Sequence, residues 1–295
     1  MKGLSVNRWK FLITSVCCSL TVLTGCKREE KHGEVQQPKE DTIAGKVKKF
    51  FASLPSPFEV SRTLADAGVT FNKSILAPIE ETGKFHTRGE KARIIGVFAA
   101  DMSYSILFGS IQEALSYFNQ IHKLFQELNI GEIISRDIAD KIKMYENNAD
   151  SLQLLMNQSF SILNTVISQN KQEDIGIYIL GSANIEGLYI LLKSLNTKEP
   201  QENLLELIVS NRDVIEIIVS MIKSSSIQLD REYINQIEKI HAALSKFKVE
   251  EKTYAEAKGA NIKLGGETKV SWTEQDLQEL ISTVENARNY LLKKA

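Results

Sequence analysis

Cysteine is scarce in this chain of 295 residues, and its three copies, Cys17, Cys18 and Cys26, all fall within the first 26 positions. Beyond residue 26 the sequence therefore offers no disulfide, no thiolate metal site and no cysteine nucleophile. Proline is scarce too: five prolines and 16 glycines leave room for long uninterrupted helices. There are four histidines, His32, His86, His122 and His241. Glu238 and His241 make one Glu-x-x-His pair, whereas a helical di-iron centre needs two such pairs and two further glutamates. No metal is expected, and that pair reads as a solvated helix face. The sequence also lacks a Gly-x-Ser-x-Gly elbow, a phosphate-cradling glycine loop and a His-Glu-x-x-His motif. No cofactor and no enzymatic activity are expected. A formal net charge of -1 lacks the basic surplus that marks a nucleic-acid partner.

What is present begins near the N-terminus. Arg8 and Lys10 flank an uncharged run from Phe11 to Leu23, 13 residues long. A membrane-spanning helix needs about 20 apolar residues; a run this short matches the hydrophobic region of a signal peptide. Leu23-Thr24-Gly25-Cys26 follows and reads as a lipobox, with small residues before the cut and an apolar anchor at Leu23. Residues 1–25 are then the signal peptide and Cys26 the lipidated residue. The competing reading is an ordinary secretory signal with a chance cysteine. Removing residues 1–25 removes Lys2, Arg8 and Lys10 and no acid, so the charge becomes -1 minus 3, or -4.

Residues 27–41, KREEKHGEVQQPKED, are polar and without aromatics, as a solvated tether requires. Stretched, they reach at most about 50 Å. Lys27 stands where an aspartate retains enterobacterial lipoproteins in the inner membrane. The expected address is therefore the outer membrane of a bacterial envelope, on its periplasmic face. Glu29 and Glu30 faintly resemble the acidic surface-export signals of Bacteroidota lipoproteins, but Lys27, Arg28 and Lys31 beside them favour a charged linker.

From residue 42 to 295 the hydrophobic period is helical. Helices are expected over 43–54, 57–67, 87–108, 110–129, 135–147, 150–170, 172–195, 200–223, 230–247 and 271–291. Capping boxes are read at Ser56–Glu59, Thr87–Glu90, Ser110–Glu113 and Ser271–Glu274, and Gly68 and Asn129 as stops. Leu264-Gly265-Gly266-Glu267 is read as the turn of a small β-hairpin spanning residues 261–270. The fold class is all-α: a single bundle of about nine or ten helices. No fixed-period repeat is evident, and no linker divides the region. The Lys/Glu mixture at 246–258 reads as a solvated face, and Trp272 as packed at a helix start.

Two helices are apolar all round yet each holds one carboxylate. Such helices belong at the centre of a protein. In residues 94–108 the carboxylate is Asp101, with Tyr104 and Ser105 beside it. In residues 177–192 it is Glu186, with Ser182 and Tyr189. Gly181, Ala183 and Gly187 would let another helix approach closely. A buried carboxylate must be hydrogen-bonded, paired or protonated. Three readings stay open: a satisfied structural network, a ligand pocket between the two helices lined by Asp101, Tyr104, Glu186 and Tyr189, and acid/base catalysis by the pair.

The run SPFEVSRTLADAGVTFNKSILAP at 56–78, AADMSY at 99–104 and IEGLYI at 185–190 together resemble uncharacterised all-helical lipoproteins of Bacteroidota. The resemblance implies an envelope lipoprotein with an α-helical body and transfers no catalytic residue. The function expected is a lipid-anchored envelope protein of unknown molecular role, an interaction or structural module. It would be held to the membrane through lipid on Cys26, with an envelope protein as candidate partner. The alternative is a small-molecule or lipid binding protein.

Overall fold

Helix starts and stops follow the capping chemistry of the chain in most places. The computed structural model describes residues 42–54, 57–129, 172–225, 228–258 and 261–293. Thr42 accepts from the Gly45 amide at 3.1 Å and opens α1 (Ile43–Ser53). Next, α2 (Pro57–Asp66) closes through two amide bonds of 2.9 Å, Val69 to the Leu64 carbonyl and Gly68 to the Ala65 carbonyl. Gly68 has φ 69° there, which a residue without Cβ adopts freely. A loop with two 3-10 turns, Lys73–Ile75 and Ile79–Lys84, leads to α3 (Arg88–Leu107), where Thr87 and Glu90 form the expected reciprocal capping box. The remaining elements are α4 (Ile111–Glu127), α5 (Glu173–Ser194), α6 (Glu202–Ser224), α7 (Arg231–Leu244), β1 (Lys248–Lys258), β2 (Asn261–Ser271) and α8 (Glu274–Leu292).

Among the described residues the architecture is a helical bundle with one two-stranded antiparallel sheet. Each of the eight described helices matches an expected one. The helices expected at 135–147 and 150–170, and the capping residue Ser56, lie outside the described residues, as do Cys26 and everything before residue 42.

Three local expectations are corrected. Ser110 makes no side-chain cap. Its own amide is already given to the Ser105 carbonyl at 2.8 Å, so Glu113 has no cap amide to accept and instead pairs with Lys73 at 2.6 Å. The cap of α8 lies two residues later than read: Thr273 and Asp276 form the box, because Ser271 is still a strand residue paired with Lys248. The hairpin is longer and its turn lies elsewhere. Gly265 and Gly266 sit inside β2, opposite Tyr254 and Thr253. Lys258 pairs with Asn261, so the chain reverses between those two positions. The first strand, KVEEKTYAEAK, is rich in Glu, Lys and Ala, which strands disfavour; pairing with β2 overrides that propensity. At the base of the hairpin Val249 faces Val270, and both pack on the helical core with Phe247 and Trp272.

The core centres on α5. By length and composition this helix could cross a bilayer, yet 78% of its apolar window is buried within the protein, against α3, α6 and α8. Its all-round apolarity is thus matched by neighbours on several sides. The α3–α5 contact is backbone-close at Gly96. A Cβ there would collide with the Ile179 carbonyl oxygen and lie 2.9 Å from both the Ala183 nitrogen and Ser182 Cβ. Gly181 is packed by another group: a Cβ would strike the Tyr233 hydroxyl of α7, which donates toward the Ile177 and Tyr178 carbonyls at 3.1 and 3.2 Å. Gly187, read as a close-approach position, has open space where a Cβ would go. Farther along, Asn184 donates to Asn211 at 2.9 Å and ties α5 to α6. Val47 and Phe50 of α1 are buried on α6, where Lys46 reaches the Ser220 carbonyl at 3.2 Å and Ser224 Oγ at 2.9 Å. All described residues fall within the unit Pro38–Ala295.

Candidate functional site

Asp101 and Glu186 do come together. Both are fully buried, at 0% exposure, in facing stretches of α3 and α5. Each influences the other electrostatically, and the two carboxyls lie within hydrogen-bonding reach. A cation from α8 meets them. Arg288 Nε donates to both oxygens of Glu186 at 3.0 Å, with only 11% of the arginine side chain exposed. Its guanidinium lies 4.1 Å from the centroid of the Tyr189 ring, a cation–π arrangement that favours Arg in a dry setting. Its Nη2 donates to the Ile75 carbonyl at 3.0 Å.

The same group holds a loop. Asp101 Oδ2 accepts from the Ala77 amide at 3.0 Å, and the Tyr117 hydroxyl of α4 donates to the Ala77 carbonyl at 2.7 Å. Upstream, Tyr104 accepts from the Asn72 amide at 3.0 Å and reaches the Thr70 carbonyl at 3.4 Å. Its ring stacks on Phe71 at 5.4 Å. Backbone groups at residues 70, 72, 75 and 77 are thus satisfied by side chains from α3, α4 and α8, which matters most at the buried Ala77. Leu76 and Ala77 are buried with them.

Charge decides the protonation. Two carboxyls share one guanidinium, so full ionisation would leave a net negative charge in a buried place. Burial, then the Glu186 charge, pushes Asp101 well above the usual carboxylate range, against the lowering by the Ala77 amide and Arg288. Burial likewise pushes Glu186 up to about 7, against the opposing pull of Arg288 and Asp101. Asp101 Oδ1 finds no donor. An ionised carboxylate only accepts, whereas a protonated one donates. A proton on Asp101, offered to Glu186, therefore satisfies both groups. Burial and the nearby Asp101 and Glu113 charges push the Tyr117 phenol up, so it stays a donor.

Of the four residues read as one candidate cluster, Asp101 and Glu186 meet directly. Tyr189 joins through Arg288. Tyr104 turns to the loop and makes its hydrogen bonds there. Sequence reasoning missed Arg288 and Tyr117. A signal for Arg288 existed: it lies four residues after Val284 and three before Leu291, on the buried stripe of α8, where a cation needs an anion. Tyr117 likewise lies three residues after Ala114 and four before Ile121 on the buried stripe of α4, where a phenol needs an acceptor, but that spacing does not say which. No loop partner was legible for the carboxylates. Between α3 and α5 the direct contact at Gly96 leaves no room for a ligand at that level. Among the described residues no group of three or more His, Cys, Asp or Glu is placed to hold a metal.

A second polar group joins α3, α5, α7 and α8. Arg93 donates to Asp230 at 3.3 Å and to the Tyr290 hydroxyl, and Tyr290 donates to Asp230 at 2.8 Å. The Asp230 amide donates to Tyr178 at 2.7 Å, while its carboxylate caps α7 through the Glu232 amide at 2.8 Å. Burial opposes ionisation of Asp230, but these donors outweigh it and hold the carboxyl below its ordinary range. Comparison with known proteins adds no relative: no family model matches the chain, and no curated protein or solved structure matches it.

Proposed function

We propose that this chain is a lipid-anchored lipoprotein of a bacterial cell envelope whose helical body acts as a non-enzymatic interaction or structural module. The observation that carries the reading is Leu23-Thr24-Gly25-Cys26 at the end of a 13-residue uncharged run behind Arg8 and Lys10, the arrangement of a cleaved and lipidated signal. Lys27 after the cysteine supports the outer membrane, with the body on the periplasmic side. The resemblance of residues 56–78, 99–104 and 185–190 to all-helical lipoproteins of Bacteroidota supports the same address. The module reading draws on where the polar chemistry goes: Glu186 pairs with Arg288, while Asp101 and Arg288 hold a loop backbone, with both acids at 0% exposure.

The anchor is tested by Cys26→Ser. The variant is expected to fold, to lose incorporation of labelled fatty acid, and to leave the membrane fraction on washing. Retention in washed membranes would refute lipid anchoring. The module role is tested by crosslinking intact envelopes that carry the acylated protein and recovering it with its neighbours. One reproducible envelope-protein partner is expected, and repeated recovery of the chain alone would count against the role.

A further inference from the structure

The group around Asp101 does more than fill a core. It is the place where one irregular loop is fastened to three helices, and the fastening contains one cation for two carboxyls. From this geometry we propose a proton-dependent latch: a single proton shared by Asp101 and Glu186 keeps residues 70–77 docked on α3, α4 and α8, and its loss releases that segment.

Three observations converge on this reading. First, two of the bonds that hold the segment come from the charged group itself: the Ala77 amide to Asp101 at 3.0 Å and Arg288 to the Ile75 carbonyl at 3.0 Å. Second, Asp101 Oδ1 is buried without a donor, which a proton between the carboxyls repairs. Third, the ionisable and charged groups facing the pair are few. They are Tyr117 from α4, with Glu113 beside that phenol, Arg288 from α8, and from α5 Tyr189 with Lys193 over its ring at 5.5 Å, the lysine being paired with Glu285 at 2.5 Å. Glu113 is engaged at 2.6 Å by Lys73, the loop's own cation, and toward Asp101 and Arg288 the loop offers backbone groups, the Ala77 amide and the Ile75 carbonyl. Arg288 is thus the one cation in direct contact with the pair among the described residues. With both carboxyls ionised, the buried charge is unbalanced, and the relief nearest at hand is entry of water where the loop lies. The helices cannot part so easily, because α3 and α5 touch through backbone at Gly96.

The direction follows from the proton count. The docked state binds a proton that the released state gives up, so docking weakens as pH rises. Directions and positions agree: Glu186 is pushed to about 7 by burial and Asp101 well above its usual range. The loss therefore begins in the ordinary carboxylate range of the released groups and runs upward through the raised values of the docked pair.

The test is hydrogen exchange on the whole protein, read by mass spectrometry from about pH 6 to about pH 9, with amides of α6 as the internal control for global opening. After correction for intrinsic exchange, protection of peptides covering 70–77 is expected to fall with pH, by up to about tenfold per pH unit for one proton, while α6 stays flat. In Asp101→Asn, an amide NH2 donates to Glu186 and its carbonyl accepts from Ala77. That variant is expected to keep the segment protected at every pH. A second readout does not depend on the variant folding: the carbonyl stretch of a protonated carboxylic acid should be present in the wild-type infrared spectrum at neutral pH and resist deuterium exchange. Absence of that band overturns the shared proton. A wild-type protection that is flat with pH, or an Asp101→Asn variant that loses protection as the wild type does, overturns the latch.

Discussion

Arg288 carries more of the buried polar group than either acid. Its Nε serves both oxygens of Glu186, its Nη2 serves Ile75, and its face lies on Tyr189. Arg288→Met removes the cation and leaves two buried carboxyls. Breaking a buried pair by deleting one partner typically costs about 3–5 kcal/mol, and a loss of that size is expected in urea unfolding. Arg288→Lys should rescue little, since an ammonium cannot reproduce three directed bonds and a stacked plane. Glu186→Gln should cost less, about 1–3 kcal/mol, because Asp101 can then ionise and balance Arg288. A Glu186→Gln loss equal to that of Arg288→Met would show that Asp101 does not provide this balance.

At the scale of elements, two glycines in neighbouring helices predict opposite outcomes. Gly96 lies where α3 and α5 meet through backbone, and neither the Ile179 carbonyl nor the Ala183 nitrogen can swing aside. Gly96→Ala should force the helices apart and destabilise by about 3 kcal/mol, the upper range for overpacking. Gly187 lies mid-helix in α5, with nothing within 4 Å of the place a Cβ would occupy. Gly187→Ala should stabilise by about 0.5–1 kcal/mol, because alanine loses less backbone freedom in a helix. Thermal unfolding of the pair is decisive: shifts of the same sign would contradict the packing of α5. The reading of Gly187 as a contact point came from spacing alone, and spacing says which residues share a face without saying what faces them.

For the molecule as a whole, the two polar groups set opposite limits on pH stability. Asp230 is held below its ordinary range, so its contribution is present above that range and lost as pH falls through its lowered value. The Asp101–Glu186 pair is raised, so its contribution is present at acid pH and lost as pH climbs through about 7 and beyond. The melting temperature should therefore pass through a maximum on the acid side of neutrality. Asp101→Asn should flatten the alkaline limb and leave the acid limb unchanged. A wild-type melting temperature that rises steadily from about pH 6 to about pH 9 would remove the buried pair as a source of pH dependence. The proposed membrane address does not depend on this behaviour, since it rests on residues far upstream of the core.

Much of the architecture is legible in the amino-acid order alone. Periodic apolar residues, the Thr87–Glu90 box and the stops at Gly68 and Asn129 are local signals: helix ends are set by hydrogen bonds within a few residues. The burial of Asp101 and Glu186 is legible too, since a carboxylate in a helix apolar on every side has nowhere else to be. Tertiary structure decided what local signals do not contain. It drew Glu113 away from a cap to Lys73, moved the hairpin turn from Gly265-Gly266 to the link between Lys258 and Asn261, and brought Arg288 across 102 positions to Glu186. It also turned Tyr104 from the carboxylates to the loop. Each of these is a contact beyond the reach of local pattern, chosen by which surfaces meet when α5 is enclosed. The pattern of one helix establishes that it must be covered; only the packed molecule establishes by what.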